Sequence, residues 1–149
     1  MKYKGTDESL SITSPDKMLY YTAIHEAGHA VMAREVCDYT APIEVSLSPA
    51  RCRCPGGFTC AEHVLLFRLG GFAAWAVHGD LDADLYLDYL GMWMAFSDIA
   101  DLVEAGVEIE RLVAPFGVAV DNLKLHWGEV ERLAARLIAV DQGEEDAQD

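Results

Sequence analysis

Apolar positions recur at helical spacing along most of the chain and alternate in one short segment. From Pro15 to Val36 or Cys37, the residues Leu19, Ile24, Ala27, Ala30, Val31 and Ala33 fall on most sides of a helix of about six turns. That pattern predicts a largely buried element. Ser14 suits its N-cap and Pro15 its first helical position. "CDYTAP" ends it. "PIEVSLSP" then alternates: Ile43, Val45 and Leu47 face one way, Glu44, Ser46 and Ser48 the other, as in a half-buried strand. "ARCRCPGG" reads as a loop and "FTCA" as the return strand of a β-hairpin. Residues 62–78 form a second predicted helix. Its Gly70-Gly71 costs about 1 kcal/mol per glycine against Ala, which predicts close approach of another backbone. After "GDLDADLYLD", helical periodicity resumes through "YLGMWMAFSDIADLVEAG", and a short helix is expected before Pro115. A last helix, about 119–140, carries Val120, Leu123, Trp127, Val130, Ala134 and Leu137 at helical spacing.

With 149 residues, of which 52% are hydrophobic, the chain predicts one domain with a real core. Its expected organisation is a loose arm over 1–13, the domain over 14–140 and a solvated acidic tail over 141–149, "DQGEEDAQD". The net charge of −14 argues against nucleic acid, whose binding needs cations to replace counterions, and against anionic membrane. The polar start, "MKYKGTDESLSITSPDK", has no apolar signal core, and no run reaches the length of a membrane helix. A soluble, cytoplasmic protein with four reduced cysteines is expected.

Against that background, "TAIHEAGHAVMAREV" stands out. His25 and His29, four apart on a helix, lie about 6 Å apart along its axis and about 40° apart around it, so both imidazoles can reach one ion. Zinc takes such nitrogen ligands and keeps an open position for water. Glu26 points to the neighbouring side, where it can accept a proton from that water. His-Glu-x-x-His thus supplies two ligands and a base. The small Ala27-Gly28 pair between the histidines allows close packing beneath the site.

A third ligand is needed. A metzincin would have Gly and His three and six residues after the second His; here those positions hold Met32 and Glu35. A gluzincin would use a later Glu, with Glu62 the nearest. Asp also ligates zinc, and Asp80, Asp82, Asp84, Asp88, Asp98 and Asp101 crowd the region after the second helix.

"TAIHEAGHAVMA" resembles the start of the peptidase domain of the FtsH family, membrane-anchored AAA+ zinc proteases. "APIEVSLSPARCRCPGGFT" is similar to that family's strand, proline-glycine loop and "GYT"-like return strand. "LGGFAAWAVHG" resembles its "GGRAAEELVFG" helix, and "FSDIADLVEAG" the helix that carries its third ligand. The resemblance spans about residues 20–140. It implies that His25 and His29 bind zinc and that Glu26 is the base. It maps the third ligand, an Asp, to Asp98, with Asp84 the competing position. It also puts Gly57, Phe58 and Thr59 beside an extended substrate. The family's Arg and Glu positions in the second helix hold Phe72, Trp75 and Ala76 here, so the resemblance does not imply its hexamer contacts. The sequence contains no ATPase module or anchor segment, so substrate is expected to be a loose peptide or unfolded protein, cut by a homo-oligomer or brought by a separate delivering partner.

Cys52, Cys54 and Cys60 in "CRCPGGFTC" are a candidate second metal site, with Cys37 or His63 as further ligands, against the plainer reading of unligated thiols on a loop. The aspartates of "GDLDADLYLD" lack the Gly and terminal Glu of a calcium loop. His63, His78 and His126 read as surface or capping residues, and Trp75, Trp93 and Trp127 as core or interface. The expectation is therefore a mainly helical α+β, zincin-like single domain with a small hairpin beside the active-site helix. Its expected function is that of a zinc-dependent endopeptidase. The alternative is a catalytically inactive, zincin-like scaffold that binds metal and peptide.

Overall fold

The computed structural model describes residues 15–143. The expected arm at 1–13, the Ser14 cap and tail residues 144–149 lie outside the described residues.

The architecture is mainly helical with one two-stranded antiparallel sheet. Helix α1, Pro15–Val31, continues into a π-helical turn, Met32–Val36, so the helical path ends where the apolar pattern predicts. Arg34 Nη1 donates to the carbonyls of Tyr39 (2.6 Å) and Ala41 (3.1 Å) and ties the chain down beyond the turn. Strands β1, Glu44–Leu47, and β2, Ala50–Arg53, pair in the register Glu44–Arg53, Val45–Cys52, Ser46–Arg51 and Leu47–Ala50.

The hairpin is tighter than the sequence predicts. The chain reverses at Ser48-Pro49, where Ser46 Oγ donates to the Pro49 carbonyl at 2.6 Å. The return strand is therefore "ARCR", expected to be loop. "FTCA" instead leads through a bend into helix α2, Ala61–His78. Composition misled here because Arg, Cys and Pro are weak strand formers, while a proline at a two-residue turn decides where the chain folds back.

The region after α2 is more broken than its periodicity suggests. A 3-10 turn, Ala83–Leu85, leads into α3, Tyr86–Met92; residues 93–96 interrupt it, and α4, Ser97–Glu104, begins afresh. A 3-10 turn at Ile109–Leu112, the short helix expected before Pro115, runs into α5, Val113–Leu125. Pro115 is the third residue of α5, where its missing N–H breaks no helical bond. The helix expected at 119–140 is thus two, α5 and α6 (Trp127–Asp141), separated at His126, whose backbone (φ −112°, ψ 23°) is not helical.

Helix α1 is the centre of the molecule, with α2 against one side, α6 against another and the hairpin across it; α5 backs α2. Ile24 and Ala27 of α1, Met32 of the π-helical turn, and Leu69, Phe72, Ala73 and Ala74 of α2 are essentially without solvent exposure. They join Leu90, Ile99, Leu112, Phe116 and Leu123 in one core. Gly28 and Gly70 set the α1–α2 spacing. A Cβ on Gly28 would lie 2.5 Å from the Gly70 carbonyl oxygen, and one on Gly70 would lie 3.0 Å from that of Gly28. The predicted backbone approach at Gly70-Gly71 is therefore to α1 itself. No described helix is long and apolar enough to cross a membrane.

Candidate metal centre

Helical spacing puts His25 and His29 on the face of α1 turned toward α2 and α4. Both are buried, as is Glu26 (9%, 4% and 8% exposed). Three such polar side chains in a core cost free energy unless something satisfies them. Asp98 comes from the first turn of α4, a position that the break at 93–96 creates. From that first turn of α4 the Asp98 carboxylate reaches both histidines of α1.

Asp98 Oδ2 lies 3.1 Å from His25 Nε2 and 3.0 Å from His29 Nε2, and the two Nε2 atoms are 3.3 Å apart. Zinc bonds of about 2.0–2.1 Å in a tetrahedron imply ligand–ligand edges of about 3.3–3.4 Å. The three atoms therefore outline one face of such a shell to within a few tenths of an ångström. The protonation pattern fits as well. His29 Nδ1 faces the Phe67 carbonyl at 2.6 Å, and a carbonyl can only accept, so Nδ1 carries the proton. In the neutral ring the Nε2 lone pair then points at the Asp98 carboxylate, an arrangement that requires a cation or a shared proton. A second hydrogen bond of this kind behind a ligating histidine fixes its tautomer and ring orientation.

His25 is held differently. Its Nδ1 is buried without a hydrogen-bond partner. Packing orients this ring: its centroid is 4.6 Å from that of Trp75 and 4.8 Å from that of Phe72. Trp75 is itself anchored by Nε1–H donating to the Tyr21 carbonyl at 2.8 Å. Gly71 completes the slot, because a Cβ there would collide with His25 Nε2 and its neighbouring ring carbons.

Electrostatics follow the geometry. Burial alone would raise the Asp98 carboxyl, but the hydrogen bonds to His25 and His29 and their charge hold it well below the usual range. Burial lowers His25, against the pull of Asp98. At His29 burial also opposes the charge, yet Asp98, Glu26 and the Phe67 carbonyl together raise it. Burial pushes Glu26 up to about 7, with His29 lowering it and Asp98 adding to the rise. A carboxylate with that pKa can both accept and return a proton near neutral pH.

These groups open onto a cavity of about 380 Å³, with the aromatic residues Phe67, Phe72, Trp75 and Phe96 in its lining and Ala50, Arg51 and Cys52 of β2 bordering it. Gly57, Phe58 and Thr59, expected beside substrate, are absent from that lining. They occupy the β2–α2 loop, where the Phe58 ring packs on Tyr39 and Phe67. The strand edge next to the histidines is β2. Asp84 is exposed on the 3-10 turn, its N–H donating to Asp82 Oδ1, and Glu62 is exposed in the first turn of α2. Neither joins the histidines. Among the described residues, the groupings able to hold an ion are His25–His29–Asp98 and Glu35–His126–Glu129; no cysteine belongs to either. Cys37, Cys52, Cys54 and Cys60 are free thiols; burial pushes Cys37 up to about 12 and Cys54 to about 11.

The supporting residues were not readable as such from sequence. The Phe67 contribution is a backbone carbonyl and leaves no side-chain signal. Gly71 gave one, its cost in a helix; Trp75 looked like a core or interface residue, and Cys52 was read as a loop thiol or a ligand of a second metal site rather than as part of this lining. Comparisons with protein-family models, curated proteins and solved structures find no match for this chain.

Proposed function

We propose that this protein is a zinc-dependent peptidase of zincin-like design. The observation that carries the reading is the convergence of His25 Nε2, His29 Nε2 and Asp98 Oδ2 within 3.0–3.3 Å, with the His29 lone pair fixed toward the carboxylate by Phe67. The sequence resemblance to FtsH-type peptidase domains supports it.

His25, His29 and Asp98 would hold a zinc ion, which would supply a Lewis acid able to lower the pKa of water toward about 7. Glu26, buried beside them, accepts the proton of the attacking water and passes it to the leaving amine as the C–N bond breaks. A substrate laid along β2 as a further strand presents its carbonyl to the histidine–aspartate face, with backbone hydrogen bonds giving position. Arg51 at the cavity edge offers a donor in a protein of otherwise acidic character.

The test uses purified full-length protein. Metal analysis should find about one zinc per chain, lost in His25→Ala. Glu26→Gln should keep the zinc and lose peptide hydrolysis by about 10²–10⁴-fold. Hydrolysis retained in Glu26→Gln refutes the mechanism. Zinc bound without any turnover in the wild type assigns the fold to a scaffold instead.

A further inference from the structure

A cavity of about 360 Å³ lies between the C-terminal end of α1, its π-helical turn, β1 and α6, and shares no lining residue with the histidine–aspartate cleft. Val31, Ile43, Val45 and Leu133 give it an apolar floor, and Arg34, Arg132 and Arg136 bring three guanidinium groups to it. Those are three of the 11 Lys and Arg residues in a chain with 25 Asp and Glu. Glu35 and Glu129 line the cavity too, so three cations face two carboxylates. Glu129 pairs with His126, at 3.8 Å, rather than with an arginine. Arg132 has no hydrogen bond or ion pair among the described residues, and Arg34 uses only Nη1, on the Tyr39 and Ala41 carbonyls. Both are exposed and keep donors in the fork geometry that suits a carboxylate.

The neighbouring strand indicates what carries the anion. β1 pairs with β2 along one edge, and its backbone makes no hydrogen bond to another element among the described residues. Such an edge is a template for a further strand. Ile43, just ahead of β1, and Val45 face the cavity, whereas Glu44 pairs with Arg53, at 3.5 Å. A strand laid beside β1 would direct every second side chain the same way as Val45, into the cavity. Those side chains stand about 6.6–7 Å apart, and Arg132 and Arg136, four residues apart on α6, are separated by about 6 Å along its axis. We infer that this cleft docks an extended acidic segment of a partner protein, with carboxylates at alternate positions on Arg132 and Arg136 and an apolar side chain on the floor. A small anion would use the arginines but leave the strand edge unpaired. The acidic balance of the rest of the chain repels such a segment and confines it to this cleft. Docking of this kind needs neither zinc nor turnover, so it stands apart from the peptidase reading.

Fluorescence anisotropy of a labelled six-residue peptide on full-length protein tests it. The peptide has Glu at its first and third positions, Val at its fifth and Thr elsewhere; its control has Gln for Glu. The Glu peptide should bind at least about tenfold tighter than the control at low salt, and more weakly as salt rises. Arg132→Gln and Arg136→Gln should each weaken it about three- to fivefold, and the double substitution by more than about tenfold. N-methylation of every second peptide nitrogen should abolish binding in one phase and spare it in the other, as a strand pairing along one edge requires. Arg51→Gln, at the histidine–aspartate cleft, should leave binding unchanged. Equal binding of the Glu and Gln peptides, or none of either, overturns the proposal. Loss in Arg51→Gln with retention in Arg132→Gln puts the peptide in the other cleft and refutes it. N-methylation without effect in either phase reduces the cleft to a small-anion site, and binding gained only on deleting 144–149 gives it to the chain's own tail; both outcomes also overturn it.

Discussion

Two histidine–carboxylate clusters are built on one helical path, one on the middle of α1 and one on the π-helical turn that follows it, against the start of α6. His25, His29 and Asp98 meet in the interior, and Glu35, His126 and Glu129 meet at the surface. Both bring potential ligand atoms close together. In the second, however, Glu35 is exposed, His126 Nδ1 lies 3.8 Å from Glu129 Oε2, and Arg34, Arg132 and Arg136 line the same cleft as the two glutamates. Water and nearby guanidinium groups can satisfy those carboxylates, as in most surface ion pairs, which contribute about 0–1 kcal/mol. In the first cluster both histidines are buried and Asp98 is half-buried, the Phe67 carbonyl fixes one ring and the Gly71–Phe72–Trp75 packing fixes the other. Proximity of ligand-type residues is common; partial burial, and a backing carbonyl that fixes the His29 tautomer, set the first cluster apart as the candidate metal centre.

Removing a ligand from each cluster tests that contrast most strongly. Asp98→Ala or His29→Ala should weaken zinc binding by more than about 100-fold, a larger loss than removing a supporting group behind a ligand. Chelation of the wild type should lower Tm by about 5–10 °C, since metal that binds only the folded state stabilises it by mass action. Zinc titration with a competing chelator and thermal melts read these effects. Gly71→Ala comes next. It should cost about 1–3 kcal/mol in stability and weaken zinc by about tenfold or more, because the added methyl displaces His25 rather than merely crowding the core. Unchanged zinc affinity in a folded Gly71→Ala would show that packing does not position this ligand.

A smaller effect concerns a histidine with no place in either cluster. His78 sits edge-on to Tyr20 and Tyr21, and burial lowers its pKa, with Glu131 opposing and Lys17 adding to the shift. The unfolded chain therefore binds its proton more readily. Stability associated with neutral His78 is present above about pH 6.5 and is lost as pH falls below that. Denaturant melts at pH 7 and 5.5 should show a smaller acid loss in His78→Gln than in the wild type. The smallest effect is expected at the surface cluster. Glu129→Gln and Glu35→Gln should change stability by no more than about 0.5 kcal/mol and leave zinc stoichiometry at one. A second zinc lost with either substitution would collapse the distinction between the clusters.

The first site was legible from sequence to the extent that it is local. His25, Glu26 and His29 lie within one helical turn and a residue, and helical geometry alone puts the two rings on one face. Asp98 was one of several aspartates, favoured only through a resemblance. Its distinction is the break at 93–96, which the continuous helical periodicity of "YLGMWMAFSDIADLVEAG" concealed. The hairpin was foreseen as an element but placed late, because the reversal at Ser48-Pro49 depends on a turn rather than on the apolar pattern. The Gly70-Gly71 pair was the most informative oddity: its helix cost predicted a close approach, and the approach proved to be to Gly28 and the His25 ring.

By itself, then, the sequence determined the long buried helix, the α+β character, the acidic balance and the paired histidines with their glutamate. Each depends on spacing along a few turns or on composition, and short-range geometry carries that information. Only the tertiary structure decided which aspartate completes the triad, which strand borders it and which carbonyl sets the His29 tautomer. Those choices bring together groups as much as 73 residues apart, as in the His25–Asp98 contact. They are fixed by how α1, α2 and α4 pack, which no local pattern encodes.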